Sequence, residues 1–202
     1  MKATQHVALR CTAFALALVL LASSPALGQD PSPAPGAPSM DNPIAYAESA
    51  GFPEIAAEAT ILDADGNVLR EGTNDWTCVA MPQAPMCADP QWMELMSALR
   101  SGDEAFKASR VGISYMLRGD AGASNIDPSA TEPTPDNEWV VTGPHIMLIS
   151  PDPSSLLEGI PAEPSGGGPY VMWADTPFAH VMVPVEGGAV SVPGGNPITR
   201  LP

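Results

Sequence analysis

Two stretches of the chain set a histidine and a methionine two residues apart inside an apolar run. "GPHIMLIS" at 143–150 holds His145 and Met147, and "TPFAHVMVPV" at 176–185 holds His180 and Met182. In a β-strand, residues two apart share a face. Each His-x-Met pair therefore points one way, while Ile146 and Leu148, or Val181 and Val183, point the other. If the two strands are neighbours, two imidazoles and two thioethers converge, and Met172 in "YVMW" is placed to join them. Imidazole and thioether donors suit copper, the thioether especially the cuprous ion. His145, Met147, His180 and Met182 are thus the candidate metal ligands, with copper the candidate cofactor; Met93 and Met96 add a second thioether pair at i, i+3. The competing explanation is packing. Methionine fills irregular cores because it is flexible and apolar, and a histidine in an apolar run serves equally as a core residue whose ring nitrogens meet backbone groups.

The same histidines are the candidates for catalysis. His145 and His180 are the only ones beyond residue 28, and histidine changes charge near neutral pH. Asp127, Asp152 or Asp175 are available to orient one, with Ser114, Ser124 or Ser150 as nucleophile, following the logic of a hydroxyl activated by an oriented imidazole. No GxSxG elbow or HExxH pair accompanies them. A hydrolase-like enzyme using His145 or His180 therefore stands as the alternative to non-enzymatic binding. Asp120, Ser124, Asn125 and Asp127 offer oxygen donors for calcium, but such residues also dominate ordinary turns. Asp63, Asp65 and Asn67 mimic the start of an EF-hand, yet Val68 and Asn74 occupy the positions that require glycine and glutamate. The three glycines at 166–168 precede a proline and an apolar run, without the lysine of a phosphate loop.

The elements that must position these residues follow from periodicity. "AEATILDADGNVLREG" reads as a hairpin turning at Asp65-Gly66. Asp89 as N-cap and Pro90 at the first helical position open a helix with Trp92, Leu95, Met96 and Leu99 on one face, ending near Gly102. "RVGISYMLRG", "WVVTGPHIMLIS", "GPYVMWA" and "FAHVMVPV" read as strands, the last three with apolar side chains on both faces. The polar, Pro-rich stretch between Asp120 and Glu138 reads as a long loop. The expected fold class is α+β: a single domain with an antiparallel or mixed β-sheet and one main helix.

The ends of the chain set its address. Lys2 and Arg10 precede an apolar run from Ala13 to Ala22 that finishes in small residues, the layout of a signal peptide over 1–28. That run is too short to span a membrane, so no span is expected once the signal is cleaved. A Pro-rich disordered leader is expected over 29–43, the globular domain over 44–185 and a flexible tail over 186–202. Removing the signal takes away two of the eight basic residues and none of the 23 acidic ones, leaving a net charge of −17. So acidic a surface excludes nucleic acid, whose phosphates are bound chiefly by lysine and arginine. In an exported chain the remaining cysteines, Cys78 and Cys87, are expected to form a disulfide around a short Pro-rich loop.

The words "GTNDWTC", "ISYMLRGDAGASNIDP", "GPHIML" and "GPYVMWADTPFAHVMVP", in that order, resemble a group of short exported bacterial proteins with no assigned activity, over roughly residues 57–185. The resemblance implies a single exported domain, secreted or periplasmic. It implies no catalytic residue, cofactor or partner.

Overall fold

The computed structural model describes residues 38–164 and 167–192. The expected signal peptide, most of the expected leader and the end of the expected tail lie outside the described residues.

Proline opens each described helix, and a short polar side chain caps three of the four, the short second one being the exception. The Asn42 side chain accepts from the Ala45 N–H at 3.2 Å and opens α1 (Pro43–Glu48), which is followed by α2 (Pro53–Ala56). The expected hairpin forms from β1 (Thr60–Asp63) and β2 (Val68–Arg70). Asp63 Oδ1 accepts the N–H groups of Asp65 and Asn67 at 3.0 and 2.8 Å, so this carboxylate organises its own turn. Next come β3 (Thr77–Ala80) and β4 (Met86–Ala88), an antiparallel pair with Cys78 directly opposite Cys87 and a disulfide joining them. The cysteines therefore sit on strands, not within the Pro-rich loop that connects them. Asp89 Oδ1 accepts from the Trp92 N–H at 2.8 Å to start α3 (Pro90–Ser101), and left-handed Gly102, φ 68°, ends it.

The second half alternates strands and turns: β5 (Gly112–Met116), β6 (Ala123–Ser124), β7 (Trp139–Thr142), β8 (His145–Ile149), α4 (Pro153–Leu157), β9 (Tyr170–Met172), β10 (His180–Pro184) and β11 (Ala189–Ser191). An eight-stranded sheet runs β2-β1-β3-β4-β5-β8-β10-β9, and a three-stranded sheet runs β11-β7-β6. The larger sheet is mixed because β1 and β3 pair in parallel. The fold is α+β in one domain, and α3 is the longest of the described helices.

Three expectations are corrected. Ala189–Ser191, placed by composition in the flexible tail, pair with Val140–Thr142 as an edge strand, because backbone pairing with β7 needs little from their side chains. The segment 120–138 contains β6, and Ser124 and Asn137 pin it internally. In β8 only His145, Met147 and Ile149 are buried, while Ile146 and Leu148 are partly exposed; its apolar composition masks an alternating strand.

Two cores result. One joins α1 and α2 to β1, β3 and β4 through Ala47, Ala50, Ala56, Ala59, Ile61, Ala80 and the disulfide. The other lies between α3 and the β5-β8-β10-β9 half of the sheet, and contains Trp92, Leu95, Met147, Tyr170, Met172 and Met182. The His-x-Met residues belong to this second core.

Candidate functional site

Strands β8 and β10 are neighbours, with Met182 opposite Met147 and Pro184 opposite His145. Directly paired residues share a face, so both His-x-Met pairs point to the same side of the sheet, toward the second core. Because the strands are antiparallel, the histidines stand at opposite ends of this row. Their Cα positions are offset by four residues, roughly 13 Å along the strands, with the two methionines between them.

The register places other thioethers nearby. Met172 on β9 lies directly opposite His180, and Met116 on β5 lies opposite His145. His180 thus has Met182 two residues along its own strand, Met172 across from it and Met147 on the diagonal. The indoles of Trp92 and Trp173 stand edge-to-face with the His180 ring, with centroids 5.3 and 4.9 Å away. Trp173 has a left-handed backbone, φ 57°, an uncommon conformation for a large side chain. Its backbone N–H to Asn125 O and indole N–H to Ser124 O, each 2.8 Å, hold it there.

Both imidazoles are fully buried and both use Nδ1 in the same way. His145 Nδ1 bonds to Gly143 O at 2.7 Å, and His180 Nδ1 to Phe178 O at 3.0 Å. A carbonyl can only accept, so each Nδ1 carries the proton and each Nε2 presents a lone pair. Among the described residues neither Nε2 has a hydrogen-bond partner, and the buried indole N–H of Trp92 also lacks one. Burial pushes both histidines down to about 4, opposed by their Nδ1 hydrogen bonds. Charge on His145 further disfavours charge on His180.

The two sites differ in what faces Nε2. Asp120 Oδ2 lies 4.0 Å from His145 Nε2, while Asp120 Oδ1 accepts the N–H groups of Gly122 and Thr142, both at 2.9 Å. Burial raises the Asp120 carboxyl to about 6, partly offset by these two bonds. Thr142 also bonds the Tyr170 hydroxyl at 2.7 Å, and burial raises that phenol well above its ordinary range. His145 therefore sits in a polar cluster with an acid within one small adjustment of its lone pair. Beside His180 the strand register sets thioethers, and two indole rings pack on it.

The other candidates fall elsewhere. Asp152 caps α4, Asp127 binds Ser129 and Asp175 is exposed. Ser114 donates to Cys87 O, Ser124 donates to Asn137 O and Ser150 accepts from the Asp152 N–H. None of these side chains is hydrogen-bonded to a histidine. The carboxylate beside an imidazole is Asp120, which its sequence context suggested only as a turn or calcium residue. The four calcium candidates also disperse: Asp120 turns inward toward Thr142 and Ser124 bonds Asn137 O, away from any shared centre. The Met93 and Met96 pair is partly buried against the second core. Among the described residues, no three His, Cys, Asp or Glu side chains group as metal ligands, and no helix is long and apolar enough to cross a membrane. Comparison with protein-family models, curated proteins and solved structures gives no match.

Proposed function

We propose that this chain is an exported, non-enzymatic binding protein that holds a cuprous ion at His180. The supporting observation is that His180 gives its Nδ1 proton to a backbone carbonyl and leaves a buried Nε2 lone pair without a partner, on a face shared with Met147, Met172 and Met182. Metal-ligating histidines characteristically donate the other ring N–H in this way, which fixes the tautomer and aims the lone pair. One imidazole with thioethers is a donor set for a soft monovalent ion. The neighbouring indoles favour a cation through their π-systems and exclude competing water. The original pairing of both histidines on one ion gives way to a His180-centred set, because Asp120 already faces the His145 lone pair.

One observation favours a different role. Trp92 Nε1 and His180 Nε2 are an unpartnered donor and acceptor in adjoining rings. A hydrogen bond between them, direct or through one water, would make His180 a polar residue that fixes core packing.

The test is thermal unfolding of the purified mature protein with cuprous, cupric, zinc or calcium ions. Binding to the native state alone stabilises by about 2.7 kcal/mol at a hundredfold excess over Kd. Stabilisation by cuprous ion, lost in Met172→Leu/Met182→Leu, supports the metal reading. No shift with any ion leaves the packing role.

A further inference from the structure

A cleft of about 320 Å³ opens beside the three-stranded sheet. Its apolar lining comes from Trp139 and Val140 on β7, Val192 after β11, and Pro135 and Pro164. Its polar lining includes Glu138 and Glu163, both exposed, together with Asn125.

Asn125 supplies an independent sign of a ligand. The residue is 3 % exposed, its Nδ2 donates to Ala162 O at 2.8 Å, and its Oδ1 is buried without a partner among the described residues. The Nδ2 bond fixes which end of the amide is oxygen, so the free group is an acceptor. A buried acceptor left without a donor destabilises the fold. Glu138, beside it, is held at φ 47°, where its backbone carbonyl accepts the Asn125 N–H at 3.0 Å. Asn125, Glu138 and Glu163 line the cleft together with its apolar floor, and among the described residues no basic one does.

We propose that this cleft binds a small organic ammonium ion. The N–H groups of the cation meet Asn125 Oδ1 and the two glutamates, while its alkyl part covers Trp139 and the prolines. A hard metal ion fits less well, because calcium takes six to eight oxygen ligands and half of this lining is apolar side chain.

Calorimetry on the mature protein at low salt tests the assignment, with hexylammonium, hexanol and calcium as probes. Saturable one-to-one binding of hexylammonium is expected, at least tenfold tighter than hexanol. About tenfold weakening is expected in Glu138→Gln/Glu163→Gln, and no change in Glu54→Gln/Glu71→Gln, which removes the same charge elsewhere. Failure of hexylammonium to bind, equal binding of hexanol, binding of calcium alone, or equal weakening by the two double variants would overturn it. These ligands contain no soft donor-seeking metal, so the outcome is independent of the His180 site.

Discussion

The two cores of this domain are built from opposite materials. The first is alanine, one isoleucine and a disulfide beneath short helices. The second is methionine, tryptophan, tyrosine and two buried histidines beneath a single longer helix. Small side chains with a covalent staple suit a region whose task is to stay folded, since they leave few polar groups to satisfy. The second core contains buried acceptors without donors and one indole donor without an acceptor. Such groups cost stability, and they concentrate where thioethers face imidazoles. The contrast separates a structural half from the half in which a ligand would repay that cost.

The contrast can be broken from either side. Replacing both cysteines, in Cys78→Ser/Cys87→Ser, should cost about 3 kcal/mol by the chain-entropy relation for a loop of this length. Urea unfolding measures the loss, and the ion specificity of the second core should survive in the folded fraction.

Acid should act on the second core. The folded histidines titrate at about 4, below the ordinary value of 6.5, so the unfolded chain binds protons first and stability falls as pH drops from 6.5 toward 4. Each histidine contributes on the order of 3 kcal/mol to that loss. Asp120, raised to about 6 from 3.8, acts in the opposite direction over most of the same window. The net loss expected between pH 6.5 and 4 is about 2–3 kcal/mol. Thermal melts across this range should show it, with a shallower slope in His180→Phe. An unchanged slope would mean that the ring does not stay neutral in the folded state.

Met172→Leu/Met182→Leu keeps volume and apolarity and should cost less than about 1.5 kcal/mol per site, while abolishing cuprous stabilisation. Smaller again, Asp89→Ala removes the cap of α3 and should cost about 1 kcal/mol in chemical denaturation, with no effect on ion preference.

The strongest local signals were readable in the sequence. Asp89-Pro90 and Gly102 bracket α3, and Asp65-Gly66 marks the β1–β2 turn. The His-x-Met spacing placed four residues on one sheet face once β8 and β10 proved to be neighbours. Strand order and direction were not readable, because they arise from pairings distant in sequence. The parallel β1–β3 contact has no local signature, and antiparallel β8 and β10 put the histidines at opposite ends of the row. Asp120 was hidden for a related reason: its turn composition suggests exposure, yet bonds from Gly122 and from Thr142, 22 residues away, draw its carboxylate inward.

The most direct test of the metal reading is nitrogen-detected NMR of the two imidazoles, with silver or cuprous ion added to the protein. A cuprous site at His180 should shift its Nε2 strongly at one equivalent, while its Nδ1 remains protonated and His145 moves little. If every ring nitrogen keeps its position in the presence of excess ion, His180 is a core residue and the proposed site does not exist.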